Sequence, residues 1–288
     1  MSKLFIISQQ EQQQKNTLTD GLRLAKQLQL APEVMFYRDE SVANEAGVAD
    51  ISIGPDEQLA TDEQLATDNN AELKQQMSDI NADDIRFTPC WNKQSVDYIC
   101  EHITANKYAM LLKSIHESAS FRPLDCQLIR HTQVPLMLLS NNPLHKANSI
   151  LMAIDLGASD PAKQALNQAI ISQAQQLAQA TASELHLGYV VHVPQILRDI
   201  DIINTHNLIK EAYQQHDNQI KSIGLDMEHV HILCGKADLC LFELSCRLKA
   251  QYLVIGNRQR QGILRFLAGN TAENIIKRLR SNVLIVPC

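Results

Sequence analysis

The most informative segment of this sequence begins Val254-Ile255-Gly256-Asn257-Arg258-Gln259-Arg260-Gln261-Gly262. It continues through Phe266 and Gly269-Asn270-Thr271-Ala272-Glu273, and it ends at Val283-Leu284-Ile285-Val286. Its apolar ends and glycine-containing middle predict a buried strand, a glycine loop, a helix and a second buried strand. Glycines after a strand let backbone amides approach a ligand closely, and the first amides of the next helix are unpaired donors that favour phosphate. The stretch therefore predicts a nucleotide or another anionic ligand.

The loop in this stretch is basic. Arg258, Arg260 and Arg265 place three positive charges, and no acid, between Asn257 and Ala268. Guanidinium groups suit phosphate recognition, because they donate paired hydrogen bonds to its oxygens. The alternative is an exposed loop with scattered arginines, since exposed charges constrain a structure little.

The chain repeats one order of elements in its two halves. At 288 residues it exceeds the usual size of one domain, and we place the two domains at residues 1–141 and 147–288. Continuously apolar strands that alternate with helical patterns predict a doubly wound, five-stranded parallel sheet in each half. One such helical pattern is formed by Leu166, Ile170, Ala174 and Leu177, with Asp160 as the expected N-cap and Pro161 at the first helical position. The predicted strands are Leu4–Ile7, Val34–Tyr37, Ile85–Pro89, Ala109–Leu112, Val134–Leu139, Ile150–Ile154, Leu185–Val193, Val230–Leu233, Tyr252–Ile255 and Val283–Val286.

The glycine spacing resembles the signature loop of the universal stress protein family. ATP-binding members of that family carry Gly, two residues, Gly, nine residues, Gly, and then Ser or Thr. Gly256 and Gly269 match the first and third glycines, whereas Gln259 stands at the second. Asn270 stands at the hydroxyl position, with Thr271 one place later. The resemblance is specific in the second half and architectural in the first.

This resemblance implies more than the loop. It implies a Rossmann-like fold of the adenine nucleotide alpha hydrolase type, and a role in the stress response that includes resistance to DNA-damaging agents. The location is expected to be cytoplasmic, because the first apolar run is shorter than that of a secretory signal and is followed at once by a Gln-rich stretch. The resemblance also implies an intramolecular pseudo-dimer in which Val134–Leu139 pairs with Val283–Val286. The alternative for these two segments is that they are interior strands of separate sheets. Further pairing of the chain into a homodimer stays open.

The expected ligand site lies beyond the carboxyl ends of the strands, where ligands bind in doubly wound sheets. Asp155 matches the acidic residue that lies beside the nucleotide in ATP-binding relatives, and it is suited to holding Mg²⁺ or a ribose hydroxyl. Its alternative is a local turn at a strand end. The resemblance also implies adenine recognition through backbone groups near the second strand, at Val190 or Val191. The expected site residues are Asp155, Gly157, Val190, Gly256, Arg258, Gly262, Gly269, Asn270 and Thr271.

The expected ligand is ATP with Mg²⁺ or another small phosphate-containing molecule. No GxSxG, GxxxxGK[ST] or HExxH motif is present in the sequence, so no catalytic residue is assigned. Two alternatives remain. One is a slow magnesium-dependent nucleotide hydrolase in which Asp155 holds the ion, and the other is a protein-interaction module with a vestigial pocket.

The first half lacks the nucleotide loop. Its first predicted strand runs into Ser8-Gln9-Gln10-Glu11, and its fourth runs into a segment, Lys113 to Ser120, without glycine. We interpret this half as a degenerate copy that completes the pseudo-dimer.

Composition excludes several classes of protein. A net charge of −6 without a Lys/Arg run argues against nucleic-acid binding. No apolar run approaches the roughly 20 residues of a membrane span, and seven cysteines without CxxC spacing indicate no disulfide framework.

Two histidines on one predicted strand resemble part of a metal site, but the position of the nearby cysteine argues against such a site. His229 and His231 alternate and share a face, but Cys234 falls on the opposite face by strand parity. Because zinc needs three or four converging ligands, no metal site is expected, and the histidines are interpreted as an edge-strand pair.

Overall fold

The computed structural model describes residues 2–9, 15–37, 86–90, 95–115, 123–140, 146–193, 204–257 and 281–288. The strands in these residues are β1 (Lys3–Gln9), β2 (Ala31–Tyr37), β3 (Arg86–Cys90), β4 (Met110–Ile115), β5 (Leu136–Ser140), β6 (Ala147–Ala153), β7 (Glu184–His192), β8 (Val230–Gly235), β9 (Ala250–Asn257) and β10 (Asn282–Pro287). Every predicted strand is confirmed, with ends that differ by a few residues. The helices are α1 (Lys15–Gln27), α2 (Ser95–Ala105), α3 (Pro123–His131), α4 (Pro161–Thr181), α5 (Thr205–Gln215), α6 (Asp217–Ile223) and α7 (Ala237–Arg247).

The chain divides into two compact units, Met1–Lys113 and Ser114–Cys288. This division differs from the expected boundary between residues 141 and 147, because β5 groups with the second unit. The reason is a hydrogen-bonded pairing of β5 with β10.

The first unit contains four parallel strands in the order β3-β2-β1-β4. Strand β1 is central, and its residues Leu4, Phe5, Ile6 and Ile7 are fully buried. Such a strand is apolar on both faces because a parallel sheet is covered on both sides.

The second unit has the strand order β5-β10-β9-β6-β7-β8. Strands β6 to β10 are parallel to one another, and β5 runs antiparallel to β10, with Leu284 opposite Met137. The pairing expected for the last predicted strands of the two halves is therefore present, and the alternative of two separate interior strands is excluded.

Helices cover both faces of the second unit's sheet. Buried residues of α4 follow the expected helical period and include Ile170, Ala174 and Leu177. As the sequence predicts, Asp160 caps this helix and Pro161 opens it. Helix α7 packs on the other face, where a side chain on Gly188 would meet Leu241. Among the described helices, none is both long and apolar enough to cross a membrane.

Candidate functional site

The order of strands in the second unit places a crevice at β6. The chain leaves β6 for β7 and β8 on one side, and then returns to β9 and β10 on the other. Parallel strands end at the same edge, and the crevice at such a reversal is where ligands bind in open α/β sheets. Met152 pairs with Val254, so the segment that follows β6 and the end of β9 lie side by side. Asp155 follows β6, and Asn257 is the last residue of β9, at that edge.

Helix α4 holds the backbone of Asp155 in place. The side-chain oxygen Oδ1 of Asn167 accepts a hydrogen bond from the Asp155 N–H at 3.1 Å. Its Nδ2 donates to the Asp155 carbonyl at 2.7 Å. Because Asn167 is buried, with 5% of its surface exposed, these bonds are shielded from water. A buried amide that binds both backbone groups of one residue fixes the position of that residue's backbone.

The Asp155 carboxylate faces solvent and carries a cationic partner. Lys163 Nζ lies 3.2 Å from Asp155 Oδ2, and the two side chains are 41% and 47% exposed. An exposed pair of this kind contributes little to stability. The carboxylate and the ammonium are therefore available for a ligand, the first as a Mg²⁺ ligand and the second as a phosphate partner.

Gly157 and Tyr189 form the side wall beside Asp155. The Gly157 N–H donates to the Tyr189 hydroxyl oxygen. Burial and the negative charge of Asp155 raise the pKa of Tyr189 above its usual value, while the Gly157 hydrogen bond opposes that rise. A Cβ atom on Gly157 would lie 2.9 Å from the Tyr189 oxygen, so a larger residue at this position would displace the end of the tyrosine side chain.

Gly256 lies within strand β9, where it pairs with Val286, and not in the loop that follows. A Cβ atom on Gly256 would come within 2.7 Å of Leu166 Cδ2 and 2.9 Å of Ile170 Cδ1. The need for glycine at this position is therefore explained by the packing of α4 on the sheet. A ligand role for Gly256 stays a prediction.

Val190 lies in β7 at the same edge of the sheet. It pairs with Leu233 of β8, two residues beyond the pairing of Gly188 with Ala153. This places Val190 level with Asp155 on the neighbouring strand. The remaining expected site residues lie outside the described residues: Arg258, Gly262, Gly269, Asn270 and Thr271.

Three residues at the site were not expected from the sequence: Lys163, Asn167 and Tyr189. Lys163 and Asn167 are eight and twelve residues after Asp155, where helical periodicity indicates the direction of a side chain along α4 but not its contact with a loop. Tyr189 follows Gly188 on a strand whose side chains alternate between faces. Only the tertiary structure brings the three to Asp155.

The first amides of α4 are already partly occupied. Asp160 Oδ1 accepts a hydrogen bond from the Ala162 N–H at 3.0 Å, and Pro161 has no N–H to donate. The start of α4 therefore offers few free donors to an anion. The anion-binding terminus predicted from the sequence belongs to the helix after the glycine loop, which lies outside the described residues.

Comparison with known proteins identifies the second half most clearly. A family model described as the universal stress protein family matches residues 146–287. Universal stress protein E of Escherichia coli (strain K12) is 25% identical over 214 residues, which cover 70% of this chain and 68% of that protein. The universal stress protein E homolog of Haemophilus influenzae is 26% identical over 206 residues, 67% of each chain.

Solved structures match over nearly the whole chain. A functionally unknown protein from Pseudomonas aeruginosa PAO1 is 21% identical, with a TM-score of 0.71, over 100% of this chain and 92% of that one. A universal stress protein from Archaeoglobus fulgidus DSM 4304 is 13% identical, with a TM-score of 0.61, over 98% of this chain and 96% of that one. These similarities establish the fold.

Proposed function

The chain belongs to the universal stress protein family through residues 146–287, and on this premise we propose that its second domain binds an adenine nucleotide with Mg²⁺ as part of a stress response. One observation carries the proposal. Asp155, at the strand-order reversal, is held by Asn167 while its carboxylate remains half-exposed next to Lys163. The donor set fits the ligand, because Mg²⁺ prefers carboxylate oxygens and an ammonium group binds phosphate.

In this proposal the residues have distinct roles. Asp155 binds the ion or a ribose hydroxyl, Lys163 neutralises phosphate charge, and the wall of Gly157 and Tyr189 limits the crevice. The loop with Arg258, Gly262, Gly269, Asn270 and Thr271 surrounds the phosphates, as the resemblance to ATP-binding relatives implies. Gln259 reduces affinity, since a side chain stands where those relatives have glycine.

Calorimetric titration of the purified chain with ATP and Mg²⁺ tests the proposal. We expect micromolar binding with one site per chain, and Asp155→Asn should weaken it roughly tenfold, about 1.4 kcal/mol. Gln259→Gly should tighten it. The matched control is Asp20→Asn, because Asp20 forms a similar exposed pair with Arg23 on helix α1 of the first unit.

Two results would contradict the nucleotide proposal. One is the absence of heat at millimolar ATP, and the other is equal affinity in Asp155→Asn and in the wild type. Mg²⁺-dependent release of phosphate that is lost in Asp155→Ala would assign the hydrolase alternative. Binding of a protein partner that survives Gly269→Val, without nucleotide binding in the wild type, would assign the interaction module.

We further propose that the two halves form an intramolecular pseudo-dimer in the cytoplasm, and that the protein supports survival of DNA damage. The antiparallel pairing of β5 with β10 supports the first statement. The family resemblance supports the cytoplasmic location and the role in survival of DNA damage.

A strain that lacks the protein should survive DNA-damaging agents less well than its parent, and restoration of the gene should reverse the defect. Equal survival of the two strains would contradict this role.

A further inference from the structure

Three histidines and a glutamate lie together at the amino-terminal ends of β7 and β8. Glu184 and His186 are near the start of β7, and His231 is near the start of β8. His229 ends the short 3₁₀ turn Met227–His229, immediately before β8. Because Gly188 pairs with His231, strand alternation places Glu184, His186 and His231 on one face of the sheet.

The side chains converge around His186, which is buried with 7% of its surface exposed. Its Nε2 lies 3.8 Å from Glu184 Oε2. Its Nδ1 lies 3.3 Å from His231 Nε2. The ring of His229 stands nearly perpendicular to that of His186, at 77°, with 4.8 Å between the ring centroids. One ligand atom each from Glu184, His186 and His229 lies within 4.8 Å of the others.

We propose that Glu184, His186 and His229 bind one Zn²⁺ ion, with His231 as the residue that orients His186. Two imidazoles and one carboxylate form a ligand set that zinc uses in proteins, with a fourth position open to water or a small anion. Ligand atoms around tetrahedral zinc lie about 3.4 Å apart, from metal–ligand distances of about 2.0–2.2 Å. The Glu184 side chain is 73% exposed and can rotate to meet this distance.

His231 completes the arrangement as a hydrogen-bond acceptor. His231 Nε2 lies 3.3 Å from His186 Nδ1 and in this arrangement accepts the Nδ1–H of His186, which leaves the Nε2 lone pair of His186 directed toward Glu184. Zinc-binding histidines usually donate their second ring N–H to such a partner.

The surrounding charge favours a cation. Asp226 and Glu228 form a second group with His229 in which one ligand atom of each lies within 4.8 Å of the others. The positive charge of Arg247, which interacts electrostatically with His231, opposes the negative charge of these two carboxylates and Glu184. The group is at the amino-terminal edge of parallel strands, whereas Asp155 is at the carboxyl-terminal edge. The metal proposal is therefore independent of nucleotide binding.

Titration of the tag-free full-length chain with ZnCl₂, after metal is stripped with a chelator and the chelator removed, tests the site. We expect one ion per chain with micromolar or tighter affinity in the absence of nucleotide. Glu184→Gln and His229→Gln should each weaken binding about tenfold or more. Glu184 is exposed and His229 is half-buried, so neither change should unfold the chain. The matched control is His206→Gln, an exposed histidine on α5.

Co²⁺ in place of Zn²⁺ separates this site from the free thiols of the chain. Tetrahedral nitrogen and oxygen ligands give visible absorption bands, whereas thiolate ligands add an intense near-ultraviolet charge-transfer band. His231→Phe, which keeps a ring but removes the acceptor, should weaken binding about tenfold and alter the visible bands. Absent binding, wild-type affinity in both Glu184→Gln and His229→Gln, or a thiolate band would each overturn the proposal.

Discussion

Gly256 lies where strand β9 passes beneath helix α4. A methyl group at this position would come within 3 Å of Leu166 and Ile170, both held by the helix. We expect Gly256→Ala to lower the free energy of unfolding by about 1–3 kcal/mol, as overpacking usually does. Chemical denaturation followed by circular dichroism measures the change.

A second substitution distinguishes crowding from loss of backbone freedom at residue 256. Leu166→Ala removes the side chain nearest to the new methyl group, so the double variant should be more stable than the sum of the two single changes predicts. Strict additivity would contradict the packing explanation. Gly157 offers a comparison, because its crowding partner is one oxygen of Tyr189 and not a helix.

Glu33 is a buried carboxylate of the first unit, with 6% of its surface exposed. Burial acts to raise its pKa, but hydrogen bonds from Tyr108, Lys3 and His102, together with the charge of Lys3, hold the pKa below the usual value of 4.5. A carboxyl whose pKa is lower in the folded state stabilises the fold above its unfolded pKa. That contribution is lost as the pH falls through the folded pKa.

We therefore expect Glu33→Gln to cost about 1–3 kcal/mol near neutral pH, the usual range for a hydrogen-bonded charged group. The difference from the wild type should shrink as the pH falls below 4.5. Urea unfolding monitored by circular dichroism measures this difference. Glu101→Gln, an exposed glutamate on α2, is the control. A cost that does not change with pH would contradict the electrostatic origin.

At the scale of single residues, the sequence predicted positions better than contacts. Asp155 was placed from the end of an apolar run followed by a turn, and this needed only local pattern. Its contacts with Asn167, Lys163 and Tyr189 depend on how α4 and β7 pack against β6. In the same way, His229 and His231 were recognised on one strand, while Glu184 and His186 approach from another strand more than forty residues earlier.

Helix α4 shows which elements were predictable. Its apolar residues repeat with the helical period, and Asp160 with Pro161 marks its start; each of these signals is local. The structure confirms the start, the cap and the buried face. The strands were predictable for the same reason, since a strand covered on both faces is a continuous apolar run.

The cap of α4 gives a prediction at this scale. Asp160→Ala removes the acceptor of the Ala162 N–H and should lower the free energy of unfolding by about 1 kcal/mol. The site should be affected too, because α4 carries Lys163 and Asn167. Asp20→Ala, which removes an exposed pair with Arg23 in α1, should cost less than the cap. Equal costs for the two variants in thermal unfolding would contradict a capping role.

At the scale of the whole molecule, the repeated order of elements predicted two copies of one strand pattern. The first unit has the strand order β3-β2-β1-β4, and the second unit contains the corresponding order β8-β7-β6-β9, in which β6 to β9 take the places of β1 to β4. The compact division at Lys113 was not predicted, because it depends on a pairing between β5 and β10 rather than on the spacing of apolar runs.

That pairing makes a prediction about excised fragments. In the second unit, β5 covers one edge of β10, and β10 residues Val283, Leu284 and Ile285 are almost fully buried. A fragment of residues 146–288 lacks β5 and leaves the backbone groups along one edge of β10 unpaired, and such an edge is a template for pairing with another chain.

Since β10 already accepts an antiparallel neighbour, two such fragments should pair through β10 into a dimer. A fragment of residues 114–288 keeps β5 in this position, so it should not pair through β10. Light scattering after size-exclusion chromatography measures the masses, and a monomeric 146–288 fragment would show that β5 does not protect this edge.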